Sequence, residues 1–306
     1  MGATVFFNGK IRYNKNNRRL NLMKIAFVTD SGTGKSVGEL AKDGIYSVPL
    51  QVSCDNKNYQ DLEELSIDEI YALMREGKML STSLPSLGKI EELFQTLKQQ
   101  GYEMIFAVPI CSGLSGTINA MEMIAQQQDI AFEYVDCHVT AIVQEYMIKL
   151  AKQLHEAGKS INQIKEVLTR IIHTTNTILL PSDLQHLKRG GRLTPLAATL
   201  GGLLKIKPIL KINEETSGKI DVLDKVRTMH KAMDRVIEIM KSEHVDDSYL
   251  ITVAHADDEA EALVYMDKLK QAFPNAAHQI IKLVSVVGVH TGRGCQAVQY
   301  FKLIKD

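Results

Sequence analysis

The chain has 306 residues, 45% hydrophobic and 24% charged, the composition of an ordinary globular protein long enough for one large or two average α/β domains. Lys plus Arg and Asp plus Glu both number 36, so the formal net charge is zero and no global field draws in nucleic acid or an anionic membrane, although a local basic patch is still allowed. No apolar run reaches the roughly 18 residues of a membrane helix, nothing resembles a secretory signal, and Cys54, Cys111, Cys137 and Cys295 lack metal-ligand or redox spacing. These absences point to a soluble, cytoplasmic chain with reduced thiols, no metal and no cofactor.

Residues 1–22 are basic and rich in asparagine and end just before Met23, so they read as an extension outside the fold. From Lys24 strands and helices alternate. KIAFVTD (24–30) is a short apolar run suited to a buried parallel strand, and GIYSVPLQVS (44–53) reads as another strand. In SIDEIYALMREG (66–77), Ser66 and Glu69 stand at capping-box spacing, and Ile67, Ile70, Leu73 and Met74 make one helix face. An amphipathic helix marked by Leu87, Ile90, Phe94 and Leu97 follows Pro85, which is tolerated near a helix start. EMIFAVPI (103–110) is a strand that leads through CSGLSGT into a helix over 119–127, and IAFEYVD (130–136) is the next strand. Two helices follow, one carrying Ile142, Tyr146, Met147, Leu150 and Leu154, the other capped by Ser160 with Gln163.

After TILLP (177–181) the rhythm changes. A basic turn, HLKRGGRL (186–193), precedes the apolar stretch LAATLGGLL (196–204) and two hairpin strands, KPILKI and KIDVLD. A helix (228–240), the strand SYLITVAHA, a helix (259–271) and a strand QIIKLVSVVGV complete the reading. Alternation of this kind predicts an α/β fold, with a parallel sheet between helices in the first half. The expected division is 23–178 for an N-terminal domain and 179–306 for a C-terminal one.

Two motifs mislead. SGTGKS (31–36) is no P-loop, because the glycine required five residues before Gly34 is Thr29, and GxGxxG fails at Val37. A tight strand-to-helix turn is the simpler reading. CSGLSGT only loosely resembles the serine-hydrolase GxSxG, since Leu114 precedes Ser115. A serine-dependent lipid or ester hydrolase with Ser115 as nucleophile and His255 or His290 as base is therefore kept as the alternative function.

STSLPS (81–86) and CSGLSGT (111–117) repeat one arrangement, a hydroxyl-rich segment leading into a helix. Unpaired N–H groups and the helix dipole, joined by Ser and Thr hydroxyls, make a donor-rich place for an anion. If neighbouring parallel strands feed both, they share the carboxyl edge where ligands usually bind. Two ordinary capped helices would look the same.

Thr82-Ser83-x-Pro85-Ser86 resembles the TSxPS signature of the DegV family, and SGLSGT at 112–117 resembles a second one. Asp30–Ser31, Tyr59-Gln60-Asp61, LKRGGRL, LLKIKPIL (203–210), Gly218 with Lys225-Val226-Arg227, and GVHTGRG (288–294) also match in order, covering about 24–303. Departures are Cys111 for a serine, Leu84 for a glutamine, VDCHVTAI after the family's Val-Asp, and Arg293 for a proline. The resemblance implies an N-terminal three-layer α/β/α domain with a mostly parallel sheet and a C-terminal α/β domain with a mixed sheet. It also implies a long-chain fatty acid as ligand, held without catalysis by this chain. A separate ATP-binding fatty acid kinase subunit would phosphorylate the carboxyl group, and the acyl phosphate would feed phospholipid synthesis. Carried over residue by residue, Thr82, Ser83, Ser112 and His290 hold the carboxylate, with Ser115 and Thr117 as weaker candidates. Arg189 and Arg192 in KRGGR could clamp the head group or dock the kinase, since guanidinium suits carboxylate and phosphate, or form a solvated turn with paired charges. A tail of about fourteen methylenes gains on the order of 11 kcal/mol from burial at about 0.8 each, before ordering costs. The LAATLGGLL stretch and the Met/Ile-rich helices could line such a tunnel, although any core would use the same residues.

Overall fold

The computed structural model describes residues 23–199 and 206–304. The extension read at 1–22 and residues 200–204 of the apolar stretch lie outside the described residues.

The first strand, β1 (Ile25–Asp30), is buried throughout, as expected of a strand covered on both faces. A single 3₁₀ turn at Ser31–Thr33 follows, and then α1 (Val37–Ala41), whose Ser36 and Glu39 form a capping box. The segment read as one strand over 44–53 is two. β2 (Tyr46–Val48) pairs in parallel with β1, whereas β3 (Gln51–Cys54) belongs to a different sheet. Pro49 lies between them and has no N–H to give to a ladder. A hairpin at Asp55–Asn56, both with positive φ, returns as β4 (Lys57–Gln60).

α2 (Ile67–Arg75) starts with the expected Ser66–Glu69 capping box. β5 (Leu80–Ser83) then pairs antiparallel with β3, so the STSLPS segment begins as a strand and not as a helix start. α3 (Leu87–Gln99) begins only after Ser86, whose side chain makes no cap bond. β6 (Met104–Ala107), α4 (Thr117–Gln127), β7 (Ala131–Tyr134), α5 (Ile142–Glu156) and α6 (Ile161–Ile172) complete the first half.

Four strands in the order β2-β1-β6-β7 form an all-parallel sheet. Side-chain alternation sorts its faces: Ala26, Val28, Ile105 and Ala107 pack with α3 and α4, while Phe27 and Phe106 join α5 and α6. This is the expected three-layer arrangement.

The second half runs β8 (Asn176–Leu180), α7 (Leu184–Arg189), α8 (Pro195–Thr199), β9 (Lys207–Ile212), β10 (Asp221–Val226), α9 (Met229–Ser242), β11 (Tyr249–His255), α10 (Glu259–Ala272), β12 (Ala277–Lys282), α11 (Ser285–Thr291) and β13 (Gln296–Lys302). Its sheet, in the order β10-β9-β8-β13-β11-β12, is mixed: β11 and β12 are parallel and the other neighbours antiparallel. One face packs on α9 and α10 through Ile178, Val253 and Val298. The other contributes Leu179, Ala297 and Phe301 to the same core as Phe27 and Met147, so one apolar cluster joins the two halves.

The valine-rich run read as a closing strand is a correction. β12 stops at Lys282, SVVGVHT coils into α11, and the last strand is β13. β-propensity yields here to packing: Gly288 lies flat against Tyr71, and a Cβ there would sit 2.2 Å from the phenol oxygen. Because β8 lies wholly in the six-stranded sheet, we propose that the division between the halves falls just before Asn176 rather than within that strand at 178.

Candidate functional site

A cavity of about 370 Å³ lies between the halves, within the roughly 300–1,000 Å³ of small-molecule sites. Its apolar wall includes Leu50, Ile110, Ile212, Ile220, Val286 and Val287; its polar part is Thr82, Ser83, Ser112, Ser115, Arg192 and His290.

Three backbone features build the polar part. The loop after β6 turns on the Cys111 carbonyl, which accepts from the amides of Leu114 and Ser115. It rests on the turn between β9 and β10 so closely that a Cβ at Gly113 would lie 2.2 Å from the carbonyl carbon of Gly218. Gly218 itself has φ +73, the left-handed region that glycine adopts without strain. Third, α11 turns Val286, Val287, His290 and Thr291 toward the cavity, the i, i+1, i+4, i+5 face of one helix.

His290 is the centre of the polar part. Its Nε2 lies 2.6 Å from Thr82 Oγ1, joining α11 to β5 across the cavity. Burial, then the Arg192 charge, then His186, hold the imidazole down at about 4, so the ring is neutral near pH 7. The same KRGGR turn supports it: a Cβ at Gly190 would lie 2.9 Å from His290 Nδ1. Arg192 donates from Nη1 to the Gly190 carbonyl at 2.7 Å and from Nε to the Leu114 carbonyl at 3.4 Å. Both acceptors are neutral, and no carboxylate pairs with Arg192 among the described residues. Burial lowers its pKa from the usual guanidinium value.

The other candidates fall on either side of the cavity wall. Ser83 lines it from β5. Ser112 lines it too, but its hydroxyl and its amide both donate to Asp136, which follows the parallel neighbour β7. Ser115 Oγ lies 2.8 Å from Thr117 Oγ1; Thr117 is buried behind the wall and does not line it. Arg189 is exposed at the end of α7, outside the lining. Of LAATLGGLL, the described residues 196–199 take no part in the wall.

Some roles were not legible. Asp136 escaped notice although it ends a strand beside the one that delivers Ser112, the juxtaposition that could have revealed it. His186, part of the basic turn, is half-buried and donates Nε2–H to the Val289 carbonyl at 2.8 Å, holding α11 on α7. His255 is buried and its Nδ1 accepts from the Asp258 amide, a satisfied strand-end histidine. Asp30 lies under the loops, accepting from the amides of Gly32 and Ile110 and from Gln144 Nε2. Its burial pushes the carboxyl up to about 6.

Among the described residues the site therefore offers a neutral histidine–threonine pair, one guanidinium without a counter-ion and the start of α4 at Gly116, lining one cavity together with apolar side chains. An amphiphile with a single anionic head matches that combination. Among the described residues no cluster of three or more His, Cys, Asp or Glu could hold a metal, and no helix is long and apolar enough to cross a membrane.

Comparison with known proteins gives the same outline. A DegV domain-containing protein of Streptococcus pneumoniae is 31% identical over 284 residues, 92% of this chain and 100% of that protein. The crystal structure of a fatty acid binding DegV family protein from Streptococcus agalactiae superposes with a TM-score of 0.83 at 27% identity, covering 92% of this chain and 100% of that one. That of DegV, a fatty acid binding protein from Bacillus subtilis, gives 0.80 at 27% identity over the same shares. The family model described as "Uncharacterised protein, DegV family" matches residues 24–303, nearly all of the chain outside its first residues, and so the chain belongs to the DegV family.

Proposed function

We propose that this protein binds one long-chain fatty acid, with the tail in the cavity between the halves and the carboxylate at Thr82, His290 and Arg192. The observation that carries the reading is the cavity itself, lined by apolar Ile110, Ile212, Ile220, Val286 and Val287 and by a polar group in which His290 meets Thr82. With hydrogen on Nε2 the ring donates to Thr82, whose own hydrogen can then donate to the anion; with hydrogen on Nδ1, the form that the Gly190 backbone favours, Thr82 donates to Nε2 instead. Arg192 supplies the opposite charge and the start of α4 adds its dipole. Ser112 stands differently from its three companions. While Asp136 holds its hydrogen, Ser112 contributes an oxygen, and Ser83 is the more available hydroxyl. The fatty-acid-binding relatives of similar fold support the same ligand class.

The further step is that the chain presents this carboxyl group, in the cytoplasm, to a separate ATP-binding kinase subunit for acyl-phosphate formation. Exposed Lys188 and Arg189 at the end of α7 suit a docking role. The hydrolase alternative needs a serine in contact with a histidine; among the described residues Ser115 is bonded to Thr117, Ser112 to Asp136, and His290 to Thr82.

Native mass spectrometry of the purified chain, followed by extraction and lipid analysis, tests the reading. One fatty acid per chain, or uptake of one added oleate, is the expected result. A protein that arrives empty and takes up neither palmitate nor oleate would overturn it. Mixing the loaded protein with a fatty acid kinase subunit and ATP checks the second step, with acyl phosphate as the expected product.

A further inference from the structure

α11 has seven residues, too few to hold its place by helix propensity alone. Two separate sets of contacts position it. At its carboxyl end His186 donates to the Val289 carbonyl, and Gly190 lies against the His290 ring. Both residues belong to the second half, as α11 itself does. At its amino end the contacts come from the first half. Tyr71 on α2, buried to 1% exposure, donates its hydroxyl to the Leu283 carbonyl at 2.8 Å, and its ring fills the space beside Gly288. Asp61, fully buried just after β4, accepts from Ser285 Oγ at the first turn of α11 and from Ser31 Oγ at 2.6 Å. Asp68 and Arg75 extend the same face of α2, pairing with Lys282 and Asp257.

The two sets do different things. His186 and Gly190 fix the imidazole relative to α7, within one half. The Tyr71 and Asp61 contacts, together with the packing of α11 on β5 and of Val284 against the turn at Gly34, fix α11 relative to β5, which carries Thr82 and lies in the other half. We infer that Tyr71 and Asp61, neither of which lines the cavity, are positioning residues for His290: they set the His290–Thr82 contact and thereby the polar part of the ligand site. The exposed Asp68–Lys282 and Arg75–Asp257 pairs add little to this, because solvent and salt screen them.

The binding half of the test rests on the fatty-acid reading; the titration half does not. Tyr71→Phe keeps the ring and removes only the donor to Leu283, and Ser285→Ala removes the donor to Asp61. Both are compared with Phe94→Leu, which weakens a separate core cluster, and with Arg75→Ala. Histidine titration by NMR on the ligand-free full chain, with His290 assigned through His290→Gln, reads the environment set by Arg192, His186 and burial. Expected in Tyr71→Phe and Ser285→Ala is an upward movement of the His290 titration by about half a unit or more, as the ring gains water. Oleate affinity should fall about two- to tenfold, the effect of one lost hydrogen bond. Phe94→Leu and Arg75→Ala should lower thermal stability at most, without moving His290. An unchanged His290 titration in both folded variants, or an equal movement in Phe94→Leu, overturns the inference. Movement of His290 in a chain that binds no oleate would leave it standing and dismiss the fatty-acid reading instead.

Discussion

Single residues set the electrostatics of this site. Among the described residues Arg192 is the one cation on the cavity wall, so Arg192→Met should weaken oleate binding more than Thr82→Val. Loss of a charge-assisted contact is worth about 1.5–3 kcal/mol and of a neutral hydrogen bond about 0.5–1.5. Titration calorimetry at two salt concentrations checks this, with salt dependence shrinking in Arg192→Met alone. Asp61 makes a prediction about stability. Burial pushes its carboxyl up to about 6, against hydrogen bonds from Ser285 and Ser31 that lower it and with a further upward push from Asp30. The folded state therefore binds the proton more tightly than the unfolded state. This stabilisation is full below the unfolded value near 4 and is lost as pH rises through about 6. Chemical denaturation should show wild type losing stability relative to Asp61→Asn as pH rises from 4.5 to 7, while His290, held at about 4, acts in the opposite direction in both proteins. Asp30, also raised to about 6, retains its share of the slope in that variant.

At the scale of elements, the close approach of two loops matters more than any cap. The loop from β6 to α4 and the turn from β9 to β10 meet with no room for a side chain between Gly113 and Gly218. Gly113→Ala must push backbone against backbone, which no rotamer relieves. A loss of about 1–3 kcal/mol in stability is expected from such overpacking, together with loss of oleate binding, since both loops contribute to the cavity through Ser112, Leu114 and the flanking Ile220. A thermal melt and a binding titration on the same sample check both. Local sequence pattern was a good guide to the capping boxes at Ser66 and Ser160, because both partners of such a box lie within one turn. It failed at α11, where Val286, Val287 and Val289 suggest a strand and only the α2 and α7 surfaces make the segment a helix.

For the molecule as a whole, the main apolar cluster runs from Ile25 to Phe301 and contains residues of both sheets. Neither half has that face covered alone, so the described fold should melt in one cooperative transition. Bound ligand should raise its midpoint, because a ligand that binds only the folded state adds about 2.7 kcal/mol at a concentration 100 times its dissociation constant. Differential scanning calorimetry with and without oleate is the check; two well-separated transitions would contradict the shared core.

The alternation of β1, β6 and β7 with their helices, the hairpin of β9 and β10 and the identity of Thr82, Ser83, Ser112, Arg192 and His290 as site candidates could all be read along the chain. Each depends on periodicity, turn chemistry or a motif a few residues long. Three things could not be read so: that β3, β4 and β5 leave the parallel sheet to form their own, that Ser112 is held by Asp136, and that His290 meets Thr82 from 208 positions away. These depend on which surfaces pack together, and packing between distant segments leaves no local period to detect. The cavity belongs to that second class, since its walls come from both halves and exist as a site only once the shared core has brought them together.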